Sequence, residues 1–209
     1  MTGVSSTRIR RWLGGYHYRY RGEDKWSEPL WHSQLPEFDG VLSLGFRDLA
    51  EIRVVDSLIQ ARLSLRTVRT AMIRAREILH DERPFTTAEF RTDGRSIFLE
   101  IAQQADDPVL LDLLKNQYGM KRVIEPSFKN LDYEDDVAVR WWPMSHKHQV
   151  VIDPKRNFGA PIVDEGSVST SVLAGAVVAE GSIKAVARYY NVKERAIRDA
   201  VLFEEKLAA

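Results

Sequence analysis

The sequence predicts a mainly α-helical protein with small β-hairpins, an α+β fold. Three observations carry that expectation. Apolar residues recur at i, i+3 and i+4 through residues 46–80 and again near the C-terminus, the spacing of helices that bury one face. Aromatic and polar or basic residues alternate over 16–21, the spacing of a strand. Gly, Asn and Pro fall between these runs, where turns and helix ends need them. A chain of 209 residues is long enough for one large domain or two small ones.

The elements follow in order. Thr2-Gly3-Val4 reads as a tight turn. Ser5 caps a helix over 6–12, because its hydroxyl can accept from a free amide one turn on. Ile9, Trp12 and Leu13 share one face of that helix, Arg8 and Arg11 lie away from it, Arg10 flanks it, and Gly14-Gly15 ends it. A turn followed by such a helix is the back half of a helix-turn-helix. Residues 16–21 form a strand, 22–25 a turn, and 25–31 the returning strand, which Pro29 confines to an edge. A hairpin directly after a short basic helix is a wing.

Residues 46–61 form a helix with Leu49, Ile52, Val55, Leu58 and Ile59 inside. Ser64 caps a second helix through His80, with Leu65, Val68, Met72 and Ile73 inside and Arg66, Arg69, Arg74 and Arg76 on the rim; Pro84 stops it. Thr92-Asp93-Gly94-Arg95 reads as a hairpin turn, since Asp-Gly tolerates positive φ, and 97–99 as its second strand. Residues 102–118 read as one more helix, with Val109, Leu110, Leu113 and Leu114 inside. Residues 130–136 read as a polar loop, 137–142 and 149–152 as strands, and Trp141-Trp142 as core.

Residues 153–161 are a loop, 162–168 are turn-rich, and 170–179 form a helix of small residues. Gly181-Ser182 breaks that helix and caps the next, whose face is Ile183, Val186, Ala187 and Tyr190. Asn191 turns the chain, because Asn accepts the left-handed region best after Gly. A final helix over 193–207 carries Ile197, Ala200, Val201 and Phe203 inside. Helix, short turn, helix again makes a helix-turn-helix shape, here a three-helix, homeodomain-like unit. The expected domains are 1–100 with a winged helix, a connection over 101–148, and 149–209.

Thirty basic and thirty acidic residues give zero net charge, distributed unevenly. Residues 1–22 carry five Arg and no acid, whereas 100–136 carry nine acids and four bases. An acid-free basic head suits a polyanion. The candidate DNA-contacting residues are therefore Ser5, Thr7, Arg8, Arg10 and Arg11 on the helix and Tyr18, Arg19, Arg21 and Lys25 on the wing; an Arg there can take phosphate or a guanine edge. In the C-terminal unit the bases sit among acids, which favours contact with a protein partner or self-association over DNA.

There is no cysteine, no signal-peptide core and no apolar run longer than the eight residues 172–179, so a soluble cytoplasmic protein with no membrane contact is expected. His146 and His148 flank Lys147 without a third ligand nearby, and Glu134-Asp135-Asp136 lacks the pattern of a calcium loop. Both read as solvated loops. No phosphate-binding glycine loop, nucleophile elbow or acid–base pairing is found, so no catalytic residue, metal or cofactor is expected, and the chain does not read as an enzyme.

Two family resemblances arise on these residues. "TGVSSTRIRRWL", "YHYRYRGEDKW" and "FRDLAEIRVVDSLIQARLSLRTVRTAMIRA" resemble, in that order, the turn and second helix, the wing, and the following helix pair of a MerR-type winged-helix DNA-binding domain, over residues 2–80. Residues 150–209 are similar to the DUF433 family, from the Asp-Pro start through Gly159-Ala160-Pro161-Ile162 to Gly181-Ser182-Ile183 and the closing helix. That family's Gly-Thr-Arg motif stands here as Gly166-Ser167-Val168, without the Arg. The combination looks like the VapB-type antitoxins. It implies the antitoxin of a type II toxin–antitoxin pair, dimeric, that neutralises a PIN-domain ribonuclease toxin and binds its own operator DNA. The basic residues Lys193, Arg195 and Arg198 would then be offered to the toxin. The alternative is a stand-alone MerR-like transcriptional regulator. The resemblance also implies a first helix ahead of the "TGVS" turn, where Met1 stands. With that helix missing, Ile9 and Trp12 are expected to lack part of their packing, at about 1.5–3 kcal/mol per exposed large side chain.

Overall fold

A computed structural model describes residues 1–104, 108–115 and 119–208. Their architecture is mostly helical with small antiparallel hairpins, an α+β fold. Met1 aside, contacts divide the chain into two compact units, residues 2–128 and residues 129–209.

The first unit opens with α1 (Ser6–Gly14), whose N-cap Ser5 accepts from the Arg8 amide at 3.4 Å. Strands β1 (Tyr16–Tyr20) and β2 (Glu23–Ser27) follow as an antiparallel hairpin. This corrects the expected turn over 22–25. Arg21 and Gly22 both take positive φ, 52° and 85°, and close a two-residue turn, so the return strand starts two residues earlier and ends at Ser27. Leu30 and Trp31, expected in that strand, are buried beyond it.

Helices α2 (Phe46–Gln60) and α3 (Leu65–Leu79) form as their apolar spacing predicts. Ile52, Val55, Leu58, Val68 and Met72 are completely buried, whereas Ile73, expected inside, is 50% exposed. Ser64 caps α3 by accepting from the Thr67 amide at 3.0 Å.

The expected hairpin at 92–99 is overturned: those residues lie within α4 (Ala88–Gln104). Phe90, Ile97, Phe98 and Ile101 are buried along one face of it. Phe90 is the hub of a ring cluster, with centroids 4.6 Å from Phe85 and 6.3 Å from Phe98 and Phe128. Gly94 serves that packing rather than a turn, since a Cβ there would lie 3.2 Å from the Phe90 ring. Helix α5 (Pro108–Lys115) covers the described part of the helix expected over 102–118, with Leu110 and Leu114 buried; residues 105–107 and 116–118 of that expectation lie outside the described residues. Helix α6 (Gly119–Phe128), which sequence reading passed over, inserts Met120, Ile124 and Phe128 into the same core.

In the second unit, the loop expected over 130–136 is in part β3 (Leu131–Glu134), paired with β4 (Val137–Trp141). Asp135 and Asp136 both adopt positive φ and turn the chain in two residues, so the acidic run is a hairpin tip. Trp141 is buried, and Trp142 is half-buried with its indole N–H donated to Asp132 at 2.9 Å. Short strands β5 (Val150–Val151) and β6 (Ile162–Val163) pair beneath three helices, α7 (Thr170–Glu180), α8 (Ile183–Tyr190) and α9 (Glu194–Ala208). Val163, Leu173, Val186, Val192, Ile197 and Ala200 form their common core. Gly181 and Asn191 end α7 and α8 in the left-handed conformation, as expected. No helix among the described residues is long and apolar enough to cross a membrane.

Candidate nucleic-acid interface

The acid-free segment folds so that its cations and aromatics share a surface. Along β1, alternation puts Tyr16, Tyr18 and Tyr20 on one face, where their cross-strand partners are Ser27, Lys25 and Glu23. Arg11, from the last turn of α1, lies over the Tyr16 ring with its guanidinium carbon 4.1 Å from the centroid. Tyr16 and Tyr18 rings are 6.0 Å apart. Arg21 and Lys25 both approach Tyr20, at 5.3 and 5.1 Å. The result is a ladder running from the end of α1 to the hairpin tip, Arg11, Tyr16, Tyr18, Lys25, Tyr20, Arg21. Cations over ring faces hold their long side chains in place without neutralising them. His17 and Trp26 stack at 4.7 Å on the opposite face.

Each expected DNA-contacting residue has a definite place. Ser5 serves the cap, and Thr7 and Arg10 are exposed on α1. Arg8 differs from the expectation that it faces outward with Arg11: its Nη1 donates to Asp56 Oδ1 of α2 at 3.2 Å, and its guanidinium lies 5.4 Å from the Trp12 ring. Arg19 pairs loosely with Asp24 at 3.4 Å, both largely exposed, and Lys25 sits 3.6 Å from Glu23. Such exposed pairs are worth at most about 1 kcal/mol and yield readily to a polyanion. Trp12, expected to lack packing, is only 4% exposed, and Ile9 is half-buried.

The hairpin is mounted by contacts that sequence reading missed. Leu30 N–H donates to the Trp12 carbonyl at 2.7 Å, tying the segment after the hairpin to α1. Arg69 donates to Ser27 Oγ and the Glu28 carbonyl, Arg76 to the Leu30 carbonyl, and Arg83 to the His32 carbonyl, at 2.6–3.0 Å. Arg69 and Arg76, read as rim residues of α3, are thus straps.

Completely buried Asp48 completes the mount. Its carboxylate accepts from Trp31 Nε1, Ser33 Oγ, Gln34 N, Gly45 N and Arg83 Nε, all within 2.8–3.1 Å. The available signal was an acid three residues into a helix after a Gly cap, the reciprocal half of a capping box. Glu51, one turn on and fully buried, accepts from the Thr86 amide at 3.1 Å through Oε1, while Oε2 finds no partner among the described residues. Burial is the largest influence and pushes its carboxyl up to about 8, against the opposing pull of Arg47.

In the second unit, the candidate toxin-contacting residues all have partners in their own chain. Lys193 lies 3.5 Å from Glu165, Arg198 pairs with Glu194 at 2.7 Å, and Arg195 donates to the Lys147 carbonyl. His148 Nδ1 meets Asp199 Oδ1 at 2.8 Å and His146 Nε2 meets Asp132 Oδ1 at 2.9 Å, so each histidine is held by a single carboxylate. No group of three or more His, Asp or Glu suited to a metal ion occurs among the described residues.

Comparison with known proteins adds two findings. The chain is 25% identical over 170 residues, 76% of its own length and 70% of the other, to a Mycobacterium tuberculosis protein named "Putative antitoxin VapB45". The crystal structure of Rv2018 from Mycobacterium tuberculosis shares its fold, with a TM-score of 0.73 at 20% identity over 96% of this chain and 92% of that one. No family model matches the sequence.

Proposed function

We propose that this chain is the antitoxin of a type II toxin–antitoxin pair, an antitoxin rather than an enzyme, which binds a PIN-domain ribonuclease toxin and represses its own operon. The similarity to a protein named as a VapB antitoxin, extending over three-quarters of the chain, supports the antitoxin half. The cation–aromatic ladder carries the DNA half. It is a set of cations steadied on rings, on a hairpin mounted beside a basic helix, which is the surface a winged helix of the MerR type offers to a duplex. In this reading α1 enters the major groove, presenting Thr7, Arg10 and Arg11, and the hairpin follows the phosphates with Tyr18, Arg19, Arg21 and Lys25. A dimer would set two such units on half-sites about one helical turn apart. Residues 150–209, DUF433-like in this reading, engage the toxin, with Lys193, Arg195 and Arg198 exchanging their internal partners for the toxin's acidic groups.

The test has two arms. Co-expression with the product of the adjacent reading frame should yield a stable complex whose ribonuclease activity is silenced. The purified chain should shift a duplex taken from upstream of its own gene, with affinity falling steeply as salt rises. A chain that binds neither the neighbour's product nor that duplex is no antitoxin of this kind.

A further inference from the structure

The loop between β5 and β6 ends in a phenylalanine that contacts nothing. Phe158 is 104% exposed, the most exposed large apolar side chain among the described residues. Its backbone is also unusual. Asn157, Phe158 and Gly159 take positive φ in succession, 46°, 54° and 76°. Left-handed backbone is unfavourable for a non-glycine residue, and Phe gains no local hydrogen bond that would lessen it. Exposed ring and unfavourable backbone thus coincide at one residue, and strain of this kind gathers at functional sites.

The loop is braced, so the exposure is held. Arg156 grips the following turn, donating Nε and Nη2 to Ser167 Oγ at 3.0 and 2.8 Å and Nη1 to Asp164 Oδ1 at 2.6 Å. Lys155 N–H donates to Asp153 Oδ1 at 2.9 Å, and the amides of Gly159 and Ala160 donate back to the carbonyls of Arg156 and Asn157 at 3.0 Å. The tip is a rigid knob.

Charge indicates what the knob fits. An apolar wedge driven between DNA bases needs free cations beside it for the phosphates. Here Arg156, two residues before the ring, is half-buried and committed to Asp164 and Ser167 of its own chain, and Lys155 faces Glu134 at 3.0 Å. An aromatic knob among neutralised charges suits an uncharged apolar pocket on a folded protein.

We propose that Phe158 is the anchor by which this chain docks its protein partner, its ring filling an apolar pocket of the toxin. The proposal rests on the antitoxin reading above. The expected energetics are those of an interface hot spot, a preorganised ring surrounded by near-neutral contacts.

The experiment uses the full chain and the toxin encoded beside it, with affinity measured by calorimetry. Phe158→Asn removes the ring and leaves a residue that accepts the left-handed backbone, so its melting temperature should equal or exceed that of the parent. It should bind the toxin about 30-fold more weakly or worse, while Phe158→Trp stays within about tenfold. Unchanged toxin affinity in Phe158→Asn overturns the proposal and leaves the antitoxin reading standing. A parent chain that does not bind the toxin overturns both. Sedimentation of the free chain and a duplex-shift assay complete the set. Loss of self-association, or loss of DNA binding, in Phe158→Asn with toxin affinity intact would assign the ring to a second copy or to DNA and overturn the proposal.

Discussion

Arg8 and Arg11 lie three residues apart on one helix, yet the structure separates their roles. Arg11 is carried on the Tyr16 ring and has no acidic partner among the described residues, whereas Arg8 is drawn to Asp56. Arg11→Ala should therefore flatten the salt dependence of duplex binding by about one unit of slope. Arg8→Ala should change the slope less and lower the melting temperature more. Equal slopes for the two variants would remove the distinction. Glu51 offers a test by pH. Its folded-state value, about 8, stands above the ordinary 4.5, so across that window the folded chain holds a proton that the unfolded chain has released. Stability should fall as pH rises from about 4.5 to about 8 and level off above. The advantage of Glu51→Gln over the parent in urea midpoint should be small at pH 4 and grow through pH 8. A constant difference would show that the carboxyl does not titrate there. Neither residue's behaviour was legible in the sequence. The partners of Arg8 and the burial of Glu51 depend on residues 48 and 35 positions away.

Elements whose signals are local were readable, and those decided by distant packing were not. The caps at Ser5, Ser64 and Ser182 and the left-handed ends at Gly181 and Asn191 act within a few residues, and each stands where expected. Asp93-Gly94 misled because the same dipeptide fits a hairpin turn or a close helix–ring contact, and only the Phe90 cluster decides between them. The β1–β2 hairpin was placed correctly but closed at the wrong residues, since an Arg at positive φ is a poor advertisement for a turn. Its seat on α1 depends on Gly15, with φ of 71°, where a Cβ would fall 2.5 Å from the Trp26 ring and 2.7 Å from the Ser27 carbonyl oxygen. Gly15→Ala should cost at least about 1 kcal/mol and weaken duplex binding together with stability. A variant as stable as its parent would mean that the ring and the strand move aside freely.

On the scale of the whole first unit, the segment leaving the hairpin is positioned by a buried charge. Asp48 gathers five donors, one of them the Arg83 guanidinium, and joins the start of α2 to the segment leaving the hairpin. Asp48→Asn or Arg83→Ala leaves the other group buried and uncompensated, and should cost about 3–5 kcal/mol in denaturant unfolding. A loss below about 1 kcal/mol would show that the network is dispensable. The surrounding straps end on the main-chain oxygens of Glu28, Leu30 and His32, whatever side chains those positions carry. Exposed positions 28 and 32 are therefore free to change identity while their attachment persists. Related chains could drift in wording along this stretch and still hold the same blade at the same angle, without the mount having to be rebuilt.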